Sequence, residues 1–81
     1  MHATVYSREN CPDCDTAIRL LVEKNFKVDT FKVAAVTDEA EKLISKERLL
    51  EIVPTARSVP QIFIEDEYVG GLRHLQMFLA Q

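Results

Sequence analysis

Tryptophan is absent from this 81-residue chain, and cysteine, glycine and histidine occur only twice each. Two cysteines are too few for the cross-linked scaffold of a small secreted domain. Two histidines, His2 and His74, lack the spacing of a zinc finger, and no third cysteine exists to complete a tetrahedral site. So little glycine and proline rules out collagen-like and low-complexity chains. No run of Lys or Arg stands out and the net charge is −3, so the electrostatic footprint of a nucleic-acid binder is missing. No uninterrupted apolar stretch comes near the ~20 residues that span a bilayer. The opening stretch "MHATVYSREN" has no apolar core of the kind a secretory signal carries. These absences lead us to expect a cytoplasmic protein that binds neither nucleic acid nor membrane.

What is present is ordinary globular chemistry, 47% hydrophobic and 28% charged. A chain this short buries only a little over ~60% of its unfolded surface, so a single domain over residues 1–81 is expected, with a small core. "ATVYS" (3–7) is β-branched and aromatic and reads as a strand. Asn10 or Cys11 caps a helix with Pro12 at its first position, where a missing N–H is harmless. Cys14, Ala17, Ile18, Leu21 and Val22 share one helical face, and Asn25 is a left-handed stop. "KVDTFKV" (27–33) alternates as a second strand. Thr37 or Asp38 opens a further helical stretch, with Asp38 and Glu41 at capping-box spacing and Leu43, Leu50 and Val53 in phase. Ser45 offers a fresh cap, so that stretch is one helix or two. "QIFI" and "EYVG" flank a solvated Glu65–Asp66 turn as a hairpin, with Glu67 adding charge at the sheet edge. Leu72, Leu75, Phe78 and Leu79 form the stripe of a last helix. The order β-α-β-α-β-β-α predicts an α/β fold whose mixed sheet starts from a right-handed parallel βαβ unit. Phe26, Phe31, Phe63 and Phe78 are expected in the core, and Tyr6 in the core or beside the crevice.

Both thiols lie in "ENCPDC", where that first helix begins, and ligands of open α/β sheets collect at such a crevice. Three uses compete. As a staple, a loop of four residues gains only about 2 kcal/mol across a helix end that needs no bridging. As a zinc site the pair lacks partners, with His2 read as a tail residue and His74 as a polar helix residue. As a redox pair it has asymmetry. Cys11 at the helix N-terminus meets unpaired N–H groups and the positive dipole end, which favour a thiolate, and Arg8 is a nearby cation. Cys14, one turn in, is less exposed. Cys11 would attack and Cys14 would resolve.

The chain resembles the glutaredoxin family of the thioredoxin fold. C-P-x-C follows a strand and opens a helix, "RSVPQIFIEDEYVGG" (57–71) matches the family's V-P to G-G segment, and "ISKERLLEI" looks like the helix before it. The resemblance implies a four-stranded mixed sheet flanked by helices. It implies a cis Pro60 facing the cysteines and a Val59 whose backbone N–H and C=O hold a cysteinyl substrate in strand fashion, with Pro12 and Ser58 beside it. Arg8 and Arg57 stand where relatives bind the glycine carboxylate of glutathione, a task that suits arginine's forked donors. Gly70–Gly71 allows close approach, and the next helix N-terminus would take the γ-glutamyl carboxylate.

Two positions depart from the family pattern. Asp13 replaces the usual Tyr or Phe of C-P-x-C. A carboxylate ~7 Å from the Cys11 sulfur disfavours the thiolate by about 0.6 to 2.4 kcal/mol, depending on effective dielectric. Asp13 also complements the helix dipole. After Gly71, Leu72, Arg73 and His74 stand where relatives have an Asp that pairs with the α-amino group of glutathione. Arg73 would instead bind the γ-glutamyl carboxylate, or be a solvated helix residue.

The resemblance implies a thiol–disulfide oxidoreductase, working as a monomer with glutathione as reductant and no bound cofactor or metal. It would reduce protein disulfides and glutathione mixed disulfides through Cys11 and Cys14. One alternative is an electron donor to ribonucleotide reductase recharged by thioredoxin reductase. Another is an iron–sulfur carrier holding a cluster between Cys11 of two protomers and two glutathiones, a role whose dedicated members usually have serine in place of the second cysteine.

Overall fold

Strand β1 (His2–Ser7) buries every second residue, Ala3, Val5 and Ser7, on one face, with Thr4 and Tyr6 half-buried on the other. That period-two alternation makes it an interior strand covered on both sides. In the computed structural model, which describes residues 1–35 and 42–81, β1 is the middle of a five-stranded sheet ordered β3-β2-β1-β4-β5. It runs parallel to β2 (Lys27–Val33) and antiparallel to β4 (Gln61–Ile64). β4 turns into β5 (Glu67–Gly70) through Glu65 and Asp66, both at positive φ (50° and 67°), the two-residue loop whose twist suits a hairpin.

The α/β class and the thioredoxin-like order stand as expected, with one strand more than the four anticipated. β3 is only Leu43–Ile44, pairing parallel with Lys32 and Val33. Leu43 therefore belongs to a strand and not to the helical phase read from its spacing with Leu50 and Val53. Two residues carry no periodicity, so only the pairing partner defines this strand. Thr37, Asp38 and Glu41 lie outside the described residues. Ser45 does start a fresh helix: its hydroxyl accepts the Arg48 N–H (3.0 Å) and caps α2 (Lys46–Ile52).

Helix α1 (Pro12–Glu23) ends as its sequence indicates. Asn25 sits at φ 67°, its N–H bonds Val22 O, and the Phe26 N–H reaches back to Leu21 O, the crossed pair of a left-handed helix stop. α1 and α3 (Leu72–Leu79) cover one face of the sheet around Ala3, Val5, Ala17, Leu21, Ile62, Ile64 and Leu75. α2 covers the other through Ile44, Leu49 and Val53. Fully burying a side chain such as Leu21 is worth roughly 1.5–3 kcal/mol.

On the α2 side a row of rings crosses the sheet, one from each of β2, β1, β4 and β5: Phe31 on Tyr6 (centroids 5.7 Å), Tyr6 on Phe63 (6.1 Å) and Phe63 on Tyr68 (5.3 Å). Tyr6 is thus packed between two phenylalanines, and burial pushes its hydroxyl pKa up, partly offset by Arg48.

Three expectations about faces need correction. Val22 is 57% exposed and Phe78 42% exposed, so the core stripes of α1 and α3 are narrower than drawn. In α3, Leu72, Leu75 and Leu79 turn inward while Phe78 borders an outer groove with Met1, Tyr68 and Met77. His2 is no tail residue. It lies in β1 and its ring donates to Asp29 across 2.6 Å, tying β1 to β2.

Candidate active site

The loop after β1 leaves the carboxyl end of this middle strand with Asn10 at φ 55°, where the Arg8 guanidinium donates to the carbonyls of Glu9 (3.2 Å) and Asn10 (3.4 Å). Cys11 follows with extended backbone (φ −121°, ψ 93°) and is the N-cap of α1, with Pro12 as the first helical residue. Its carbonyl takes the first helical bond from the Asp15 N–H (3.1 Å), and its sulfur accepts the Cys14 N–H (3.2 Å). The cysteine sulfur therefore does what a serine or aspartate oxygen does at an ordinary cap.

Cys11 and Cys14 are joined as a disulfide, their Cα atoms 5.2 Å apart. Cys14 is the more buried of the two, 1% exposed against 5% for Cys11. Asp13 and Asp15 put two carboxylates in the first turn of α1, both exposed.

Facing the cysteines is the segment before β4. The Val59–Pro60 bond is cis, and the Val59 carbonyl lies 4.0 Å from the Cys11 sulfur. Pro60 is buried, Val59 half-buried and Ser58 exposed. Gly71 completes this wall: a Cβ built there would approach the Pro60 carbonyl to 3.5 Å.

Beside Val59 opens a cavity of about 810 Å³. Val33, Leu49, Leu50 and Ala56 give it an apolar floor, Ser58 and Val59 one wall, and Arg8, Lys46 and Arg57 a cationic rim. The structure thus brings Arg8 and Arg57 together from opposite ends of the sequence and adds Lys46, which the sequence reading passed over. A signal was there to find: a lysine at the first position of a helix opposes the macrodipole, and such a local conflict marks a residue placed for another reason.

At the other side of the crevice, Gly71 is the N-cap of α3 and supplies no side chain to bond the free amides, and no acidic residue occupies the first turn. Leu72 packs against the core, whereas Arg73 and His74 are exposed. Gly70 holds φ 121° directly under the His74 ring. Among the described residues no group of three or more His, Cys, Asp or Glu is placed to hold a metal ion.

The protein-family comparison decides what this arrangement belongs to: the Glutaredoxin model matches residues 3–69, from β1 through β5. The chain belongs to the glutaredoxin family. It is similar to glutaredoxin 1 of Rickettsia conorii, 37% identical over 67 residues that make up 83% of this chain. The match spans 61% of the length of that relative. Among solved structures, glutaredoxin 1 of Francisella tularensis, complexed with cacodylate, superposes with a TM-score of 0.73 at 26% identity, covering 98% of this chain and 92% of that one. A buckwheat glutaredoxin–glutathione complex superposes with a TM-score of 0.74 over 96% of this chain and 67% of that one; at 20% identity it shares the fold. In the matched span of this glutaredoxin-family chain lie the cysteine pair, the cationic rim and the Val59–Pro60 segment.

Proposed function

We propose that this chain is a dithiol thiol–disulfide oxidoreductase in which Cys11 attacks and Cys14 resolves. The observation that carries the reading is the Cys11 sulfur held at the helix N-cap by the Cys14 amide, 4.0 Å from the Val59 carbonyl. The amide and the dipole of α1 favour the thiolate when the pair is reduced. That thiolate attacks one sulfur of a protein disulfide or of a glutathione mixed disulfide. The leaving thiolate takes up a proton, and Cys11 is left in a mixed disulfide with the substrate. The Cys14 thiolate then attacks the Cys11 sulfur, expels the second thiol, and leaves the Cys11–Cys14 disulfide. Two glutathiones return it to the dithiol and become oxidised glutathione.

In this reading a single domain does the work as a monomer in a reducing, cytoplasmic setting. Val59 and Pro60, flanked by Pro12 and Ser58, dock the substrate backbone. Arg8, Arg57 and Lys46 take its carboxylates, and Gly71, Leu72 and Arg73 bound the far side. Glutathione as the bound thiol is supported by the cationic rim beside Val59, and a glutaredoxin of this fold was solved with glutathione.

The test is glutathione-coupled reduction of a small mixed disulfide by wild type, Cys11→Ser and Cys14→Ser. Loss of turnover in the first with part of it kept in the second is expected. Equal loss in both, or activity without Cys11, overturns the assignment.

One observation favours a second reductant. The first turn of α3 has no carboxylate to pair with an α-amino group, so recharging by thioredoxin reductase, with ribonucleotide reductase as an acceptor, is the competing reading. Supplying each reductant in turn separates them.

A further inference from the structure

Gln61 is a polar side chain only 6% exposed, next to Pro60 and unused in the chemistry above. Its Nε2 donates to the Ser58 carbonyl (2.7 Å), and its Oε1 accepts from the Tyr68 hydroxyl on β5. The Tyr68 ring is itself seated on Phe63, centroid to centroid 5.3 Å. A buried amide with both ends satisfied is a fixed strut.

What the strut holds is one peptide plane. The Ser58 carbonyl and the Val59 N–H belong to the same trans amide, whose oxygen and hydrogen point in opposite directions. Fixing the oxygen inward on Gln61 aims the Val59 N–H outward. Among the described residues no hydrogen bond occupies that N–H. We infer that Gln61, braced by Tyr68, is a positioning residue that presents the Val59 N–H to the substrate backbone. The inference rests on the docking role of Val59 proposed above and adds two residues to it, one of them on the edge strand.

The steady-state test uses Tyr68→Phe, which removes the brace, and Gln61→Met, which removes the strut at similar volume. KM for a glutathione mixed disulfide should rise roughly three-fold in the first and about ten-fold in the second, at unchanged kcat, as expected for one neutral and then two lost hydrogen bonds. Alkylation of reduced Cys11 should keep its wild-type rate and pH profile in both. A fall in kcat with altered alkylation would show general disorder of the site and overturn the inference.

A second readout needs no turnover. Cys14→Ser protein is glutathionylated at Cys11 with oxidised glutathione, and the Val59 amide proton is followed by NMR. A downfield shift on glutathionylation that shrinks when Gln61→Met is added supports the inference, and the same shift with and without Gln61 overturns it. If the shift is missing even with Gln61 intact, the docking role of Val59 fails and the inference with it.

Discussion

The backbone N–H of Cys14 donates to the sulfur of Cys11 across 3.2 Å, a contact made by the main chain of Cys14 and independent of its side chain. Cys14→Ser should therefore leave reduced Cys11 as acidic as in wild type. Replacing the Asp13–Cys14 peptide amide by an ester, which removes the N–H and leaves the side chains in place, should raise its pKa. Ultraviolet thiolate absorbance against pH reads both.

Asp13 and Asp15 oppose the dipole's effect on the Cys11 sulfur while stabilising the helix that creates it. Replacing Asp13 with Asn or Tyr should lower the Cys11 pKa. A Coulomb penalty of about 0.6 kcal/mol at high effective dielectric corresponds to a pKa lower by roughly half a unit, read from thiolate absorbance against pH. An unchanged titration would show that solvent screens Asp13 completely.

Lys46 joins Arg8 and Arg57 around one cavity. Lys46→Met should raise KM for a glutathione mixed disulfide two- to five-fold, roughly the worth of an exposed charge contact, with kcat unchanged. The effect should fade as salt is added, because exposed charges are screened. A salt-independent change would point to lost packing over Leu49 and Leu50 instead.

Gly70 and Gly71 should respond differently to alanine. At Gly70 the backbone is at φ 121° and a Cβ would meet the His74 ring at 3.0 Å, so Gly70→Ala should destabilise by roughly 1–3 kcal/mol in urea unfolding. Gly71 has φ −89° and an ordinary 3.5 Å contact waiting. Gly71→Ala should fold with near-wild-type stability and show its effect in KM, since the new methyl narrows the crevice beside Pro60.

Stability should bend at both ends of the pH scale for identifiable reasons. The hydrogen bond from His2, then that from Lys42, holds the Asp29 carboxyl below its ordinary value. The contribution is present above the unfolded value of ~4 and is lost as pH falls through the lower folded one. Burial raises the Tyr6 pKa, so its contribution is present below ~10 and is lost as pH rises through the higher folded value. Asp29→Asn should flatten the acid limb of a melting-temperature profile, and Tyr6→Phe the alkaline limb.

The sequence by itself determined the features that are local in cause. Pro12 behind a capping Cys11, Asn25 as a left-handed stop, the two-residue Glu65–Asp66 turn and the alternation of β1 each follow from residue chemistry within one turn or one strand. The resemblance added Val59 and Pro60. Tertiary structure alone decided the features that need a distant partner. Leu43–Ile44 became a strand because Lys32 and Val33 offered it an edge. Lys46 reached the cavity because α2 packs under the same wall that carries Arg57. Val22 and Phe78 stayed outside because the three-layer packing covers only part of each helical stripe. Gln61 found Ser58 and Tyr68 because the hairpin brings β5 alongside β4. Spacing along a chain encodes which face a residue shares with its neighbours, whereas the identity of the surface that covers that face is a property of the folded whole.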